Sequence, residues 1–309
     1  MKHLKMNKQD KIYKNPFNFH GSKERILPLI KQNLPQNCTM MVDMFGGSGT
    51  LCANTDFAMY IYNEKNKYMY NLFRTIKECD IDFILNHIED NIQYYGLSKN
   101  DKEAFLNFRK DFNNKTYTFL DVQEDWHRHV ANIDLYTLIC YSFNYMLVFN
   151  KEGKYSVPSG YRRSSFNNSL KNKLVDYTNV LKYKDIKIYS LDFRDLYQQL
   201  CSMFVNDFNG IFMFVDPPYS ITDDSYSRTY GMKWNTQDDV DLHNILQDFD
   251  KKGGRFMYIN QTQKGDMINQ ELLTFSKRYN TINTNCDFSN CSYQRSAKGN
   301  DKEVLIKNY

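Results

Sequence analysis

The feature that most constrains this chain is an apolar run that stops abruptly. Residues 210–219 read Gly-Ile-Phe-Met-Phe-Val-Asp-Pro-Pro-Tyr. Ile211 to Val215 are apolar at every position, lack helical spacing and are too few for a helix, so they predict a short buried strand. Pro217 and Pro218 end that strand and stiffen the backbone after it. The Asp216 carboxylate, the Pro217 carbonyl and the Tyr219 ring are then presented together at the C-terminal end of a strand, where open α/β sheets carry their sites. Taken alone, the segment reads equally well as an ordinary strand and turn.

A second segment shifts that balance. Thr39 to Met44 predicts another buried strand, Phe45-Gly46-Gly47-Ser48-Gly49 follows at once, and a helix opens near Thr50. Strand, glycine turn and helix together let backbone approach a nucleotide-like ligand and offer it helix N–H groups. A glycine turn by itself is a weak signal. Residues 58–63 predict the next strand, with Glu64 at its C-terminal end. That acid is placed to take two ribose hydroxyls, or to complement the dipole of the helix that follows.

Further strands are predicted at 186–189 and 255–260, with a closing pair ending at 303–308. Helices are predicted near 170–181, 193–203, 237–251 and 266–275, Asp192 capping the second of these. Strands alternating with helices at both ends of the chain indicate a mainly parallel sheet in an α/β fold. Between them, residues 76–165 read as a mostly helical insertion, with Phe105, Phe108 and Phe112 spaced as core. Trp126-His127-Arg128-His129 lacks partner ligands for a metal and reads as surface or cap. Residues 149–158 read as a β-hairpin with Gly153 at its turn. Over residues 149–165, Lys151, Lys154, Arg162 and Arg163 outweigh Glu152, which suits contact with DNA phosphates or a plain solvated surface. Residues 221–235 read as a polar lid-like loop carrying Tyr226, Tyr230 and Trp234. Its surrounding acids, Asp223, Asp224, Asp238, Asp239 and Asp241, do not suit phosphate contact.

Composition sets outer bounds. At 309 residues, 25% charged and 16% aromatic, the chain can bury a full core and is not disordered. A net charge of +4 permits a nucleic-acid partner without requiring one. Seven cysteines with no C-x-x-C pair point away from a zinc ribbon or disulfide framework and toward a reducing cytoplasm, bacterial or phage-infected. The first 16 residues read as a polar basic arm rather than a signal segment, and no stretch is long enough to span a membrane.

The ordered set of motifs resembles the Dam-like (alpha-group) N6-adenine DNA methyltransferases. Residues 17–23, an aromatic followed by Gly-x-Lys, resemble the family's N-terminal cofactor motif. Residues 43–49 are similar to its S-adenosylmethionine loop, Glu64 and Asn66 match its ribose-side acid and following Asn, and Asp192-Phe193 resembles the pair that holds the cofactor adenine. Residues 144–160 resemble the hairpin of its target-recognition domain, and residues 303–309 its last strand. The chain departs from the family at Val148, usually Arg, at Tyr145, usually Gly, and at Ile259-Asn260, usually Ser-Asn. The first two departures mean that the family's common GATC target is not implied.

The resemblance implies a Rossmann-like class I methyltransferase sheet with helices on both faces, formed by residues 1–75 and 166–309. Residues 76–165 would be an inserted, mostly helical target-recognition domain carrying the hairpin. It implies methyl transfer from S-adenosylmethionine to the N6 amino group of a flipped-out adenine in double-stranded DNA. Asp216, Pro217, Pro218 and Tyr219 would be catalytic. The cofactor would meet Phe17, His20, Lys23, Asp43, Phe45, Gly46, Gly47, Gly49, Glu64, Asp192, Phe193 and Asp216. Phe17 and Phe45 would pack near the sulfonium, and Lys23 would meet a carboxylate, either the cofactor's or that of Asp216. DNA would meet Asn150, Lys151, Lys154, Tyr155, Arg162 and Arg163. No metal or membrane is called for. A restriction endonuclease is a possible partner, and a monomer or weak dimer is expected. Two alternatives stay open: a non-catalytic DNA-binding protein that keeps the fold, and a methyltransferase acting on RNA or on a glutamine side chain.

Overall fold

The computed structural model describes residues 11–17, 23–115, 125–221, 234–284 and 301–309. Its centre is a sheet in the order β3-β2-β1-β4-β5-β8-β7, with β6 paired to the far end of β5. The strands are β1 (Met40–Asp43), β2 (Met59–Asn63), β3 (Ile186–Tyr189), β4 (Ile211–Val215), β5 (Arg255–Lys264), β6 (Met267–Ile268), β7 (Asn280–Asn283) and β8 (Lys302–Lys307). Pairings from β3 through β5 are parallel, and β8 runs antiparallel to both β5 and β7. The mixed sheet with helices on each side is that of class I methyltransferases.

Side-chain alternation divides the core between the two faces. Met41, Tyr60, Tyr62, Phe212, Phe214, Met257, Ile259 and Leu305 point into one cluster. Met40, Val42, Ile61, Met213, Val215, Phe256, Tyr258 and Ile306 point into the other. Every residue of β4 is therefore buried, as its unbroken apolar sequence requires of a strand covered on both faces. The edge strands are more polar: β7 is Asn-Thr-Ile-Asn and mostly exposed, which discourages pairing with another chain.

The first face carries α1 (Leu27–Gln32), α2 (Thr50–Asn54), α3 (Lys67–Glu78), α4 (Ile81–Tyr95), α5 (Lys102–Asn114), α6 (Asp125–Tyr141) and α7 (Asn168–Lys182). Residues from α4, α5 and α6, including Ile84, Phe105 and Leu138, belong to the same cluster as the sheet residues of that face. The helical insertion thus extends the core of the sheet. The second face carries α8 (Phe193–Met203), α9 (Thr236–Lys251) and α10 (Gln270–Ser276). Among the described residues, no helix is long and apolar enough to cross a membrane.

Two expectations need correction. The strand expected at 255–260 runs on to Lys264, turns at left-handed Gly265 and returns as β6. The helix expected from Asp266 therefore starts only at Gln270, where the Asn269 side chain accepts the Leu272 N–H. Before β1 the chain forms a 3₁₀ turn, Lys23–Arg25, and then the short α1 with Pro28 in its first turn. The expected lid at 221–235 lies largely outside the described residues.

Strand order reverses between β1 and β4. The loops leaving their C-terminal ends diverge there and open a crevice. The glycine turn after β1 is shaped for that position. Gly49 has φ +74°, and a Cβ on it would lie 2.2 Å from the Phe73 ring. Gly210, at φ +78° before β4, has open space around it. Gly49→Ala should therefore destabilise the protein by roughly 2–4 kcal/mol in urea unfolding, combining left-handed strain with overpacking. Gly210→Ala should cost only about 1–2 kcal/mol from the strain alone. Equal losses would contradict this account.

Candidate active site at the switch point of the sheet

Three acids converge where the strand order reverses. Asp43 ends β1, Glu64 follows β2 and Asp216 follows β4. Asp43 and Glu64 are buried, and the Asp216 side chain is 15% exposed. Burial raises Asp43 well above the ordinary carboxylate range, and the charges of Asp216 and Glu64 add to it. Burial also raises Asp216, against the opposing pull of Lys23 and Tyr219.

Lys23 enters from the turn before α1, and its Nζ lies 2.6 Å from Asp216 Oδ2. Lys23 thus meets the Asp216 carboxylate. Its segment is tied to the glycine turn: the Asn15 side chain donates to the Ser48 carbonyl at 3.0 Å, and the Asn15 N–H donates to Glu24 Oε1 at 2.6 Å. Pro217 is buried and Pro218 half-buried, so the loop after Asp216 has little freedom. The Tyr219 hydroxyl stands between two carboxylates, 3.4 Å from Asp216 Oδ1 and 2.7 Å from Glu303 Oε1. Glu303 and Thr284, whose hydroxyl donates to Glu303 Oε2 at 3.1 Å, were not singled out as site residues by the sequence.

Glu64 organises the neighbouring turn. Its Oε2 accepts the Gly47 N–H at 2.8 Å and its Oε1 the Asn66 N–H at 2.7 Å. Asn66 in turn caps α3 through the N–H groups of Tyr68 and Met69. Burial raises Glu64 to about 7, although both backbone donors oppose it. The carbonyls of the turn are held as well, Gly47 by the Tyr62 hydroxyl at 2.6 Å and Ser48 by the Tyr177 hydroxyl at 2.8 Å. Gly46 packs against the face of Tyr62, where a Cβ would lie 2.3 Å from a ring atom. Asn63, a residue sequence reasoning passed over, bridges the loop ends by donating to the carbonyls of Met44 and Leu191 and accepting the Leu191 N–H.

On the second face, Asp192 caps α8 by accepting the Arg194 N–H and meets Lys65 Nζ at 2.7 Å. Burial would raise Asp192, but these partners hold it below the ordinary range. Phe193 packs with Phe45 and Trp234, their centroids 5.2–5.8 Å apart. Arg194 also binds Asp238 and Asp241, and Trp234 donates to Asp239, so these acids tie α8 to the start of α9. Phe17 lies on the opposite face, edge-on to Tyr136 at 5.5 Å. Phe17 and Phe45 thus belong to the clusters on the two opposite faces of the sheet. His20 lies outside the described residues.

The basic hairpin follows the helical insertion. Phe149 pairs with Tyr155 across a turn that holds left-handed Gly153. Lys151, Lys154, Arg162 and Arg163 are exposed. Asn150 is occupied in the turn, its Oδ1 accepting the N–H groups of Glu152 and Lys154. Tyr155 corrects an expectation: it is 1% exposed, and its hydroxyl donates to the Met146 carbonyl at 2.8 Å. Its ring fills the core under the hairpin and faces no groove. Phe149 stacks on Tyr68, in the first turn of α3, at 3.7 Å. His129 is half-buried between the Thr75 hydroxyl and the Glu78 carboxylate, side chains of α3.

Comparison with known proteins agrees with this geometry. The chain is 34% identical over 305 residues to the type II methyltransferase M.FokI of Planomicrobium okeanokoites, covering 98% of this chain and 44% of that protein. It is 28% identical over 313 residues to the modification methylase StsI of Streptococcus sanguinis, covering 100% and 45%. It is 27% identical over 301 residues to the modification methylase LlaI of Lactococcus lactis subsp. lactis, covering 96% and 43%. The chain thus spans less than half the length of these three relatives. The model of one family matches residues 19–288, from just before Lys23 to beyond β7, and takes in the glycine turn, the hairpin and the Asp-Pro-Pro-Tyr loop. This protein belongs to the D12 class N6 adenine-specific DNA methyltransferase family.

Proposed function

We propose that this protein transfers a methyl group from S-adenosylmethionine to the N6 amino group of an adenine at a specific site in double-stranded DNA. The observation that carries the reading is the Asp216 carboxylate, fixed by Lys23 at the end of β4 and followed by Pro-Pro-Tyr. The family and the names of its relatives support the same reading. Those names, modification methylases among them, also support a restriction endonuclease as partner.

The residues of the crevice suit the cofactor. S-adenosylmethionine carries a sulfonium and an ammonium group, and a rim of buried carboxyls, Asp43 and Glu64, favours cations. Each Glu64 oxygen keeps a lone pair beyond its backbone bond for a ribose hydroxyl. Phe45 and Phe193 offer apolar surface beside Asp192, which would accept from the adenine amino group. When bound, the cofactor supplies an electrophilic methyl group.

The chain's own task is to make a poor nucleophile ready. The adenine N6 lone pair is delocalised into its ring. Accepting the two N–H bonds on Asp216 and the Pro217 carbonyl favours a pyramidal nitrogen whose lone pair points outward. Acceptors already fixed by Lys23 and two prolines need no reorganisation as charge develops. Asp216 need not take the proton before transfer, since N6 becomes acidic once methylated. The target base must leave the duplex at a cost of a few kcal/mol, and stacking on Tyr219 offsets roughly 1–3 kcal/mol of that. The exposed Lys151, Lys154, Arg162 and Arg163 would hold the DNA backbone. The protein would act as a monomer or weak dimer in the cytoplasm.

Single-molecule sequencing of DNA from a host expressing the chain should reveal N6-methyladenine at one enriched motif. No methylation, with S-adenosylmethionine still bound in calorimetry, would point instead to a non-catalytic DNA-binding protein. Asp216→Ala should lower transfer by roughly 100- to 1,000-fold while cofactor affinity changes little. Full activity in that variant would sink the mechanism. Lys154→Ala and Arg163→Ala should each reduce the slope of log affinity against log salt by about 1, whatever the DNA sequence. An unchanged slope would remove this face from the interface. Because ribose hydroxyls favour ionised Glu64, cofactor affinity should weaken up to about tenfold per unit as pH falls below about 7. Glu64→Gln should flatten that profile in calorimetry, and an unflattened profile would assign the titration elsewhere.

A further inference from the structure

The groups around Asp216 divide its two oxygens between them. Oδ2 takes the Lys23 ammonium at 2.6 Å, and Oδ1 faces the Tyr219 hydroxyl at 3.4 Å. The same hydroxyl lies 2.7 Å from Glu303 Oε1. A phenol has one proton to donate, and the shorter contact takes it. Glu303 is well placed to hold it. Its side chain projects from β8, Thr284 donates to its other oxygen at 3.1 Å, and the residue is 6% exposed. A buried carboxylate beside a buried aspartate is costly, so its presence here calls for a reason beyond packing.

We propose that Glu303 is a positioning residue for methyl transfer: by accepting the Tyr219 proton it fixes the tyrosine ring and keeps Asp216 Oδ1 open to the amino group of the base. This role rests on the adenine methyltransferase reading above. Without Glu303, the hydroxyl can turn to Asp216 Oδ1, 3.4 Å away. A hydrogen bond there competes with the substrate amino group and withdraws charge from the oxygen that must accept from it. The tyrosine ring and the aspartate then interfere with each other, although each is intact.

The argument distinguishes loss of an acceptor from loss of shape. Glu303→Met keeps the bulk and removes the acceptor, whereas Glu303→Gln keeps an acceptor oxygen. Single-turnover transfer from labelled S-adenosylmethionine to unmethylated genomic DNA should fall roughly tenfold in Glu303→Met, the scale of one hydrogen bond. It should stay within about threefold of wild type in Glu303→Gln, with cofactor affinity unchanged in both. Adding Tyr219→Phe to Glu303→Met removes the misdirected hydroxyl and should restore the rate to that of Tyr219→Phe alone. A double variant slower than either single variant, or equal rates in Glu303→Met and Glu303→Gln, would overturn the proposal. A second readout needs no turnover. The fluorine resonance of 3-fluorotyrosine placed at position 219 should move in Glu303→Met and stay near its wild-type position in Glu303→Gln. An unmoved resonance in Glu303→Met would also overturn it. A wild-type protein that methylates no DNA would instead overturn the reading of function, while the fluorine shift still decides whether Glu303 holds the hydroxyl.

Discussion

The contact between Lys23 and Asp216 is the one on which the rest of this structure depends. Asp43, Glu64, Asp216 and Glu303 lie near one another with little access to water, and a buried carboxylate without compensation costs several kcal/mol. Lys23 compensates the acid at the centre of the group. To reach it, the segment before α1 has to be brought over the place where β1 and β4 diverge, and Asn15 fastens that segment to the glycine turn. The same turn is fastened from below by Glu64 and Asn63. Backbone, lysine and acids therefore form one connected arrangement, in which the Asp216 carboxylate has a fixed direction.

The parts of this arrangement that could be read in the sequence are those encoded by neighbours in the chain. The strand from Ile211 to Val215, the glycine turn, the acid after β2 and the Asp192 cap each lie within a few residues of the pattern that reveals them. Glu303 does not: its partner Tyr219 is 84 residues away, and a glutamate beginning an apolar strand looks like a solvated end. Asn63 was hidden for a similar reason, since its second partner, Leu191, comes from the far side of the insertion. Tyr155 misled in the other direction. Among basic neighbours a tyrosine looks like a base-stacking ring, yet strand alternation turns 155 and 157 inward and 154 and 156 outward. The acids around Asp238 looked merely unsuited to phosphate, whereas Arg194 and Trp234 had already engaged them.

The surfaces proposed for cofactor and for DNA are closer in this fold than the chain order implies. The helical block has no separate core, and α5 holds the hairpin directly, with Asn113 bonded to both backbone groups of Tyr155. The Tyr68–Phe149 stack then links the hairpin to the first turn of α3, whose cap begins at Glu64 and Asn66. A rigid path of packed rings and capped backbone joins the acid assigned to the ribose and the surface assigned to DNA.

The position of β8 has a consequence for how such a protein comes into being. It lies between β5 and β7, and β7 pairs with β8 but not with β5. β7 is made first, and among the described strands its pairing must wait until β8 comes between it and the sheet. The strand that closes the sheet also delivers Glu303 to Tyr219. A nascent chain that has already folded its glycine turn and its Asp-Pro-Pro-Tyr loop still has an unfinished crevice. If Glu303 has the role proposed for it, the site would thus be completed only with β8, after the scaffold that has to hold it.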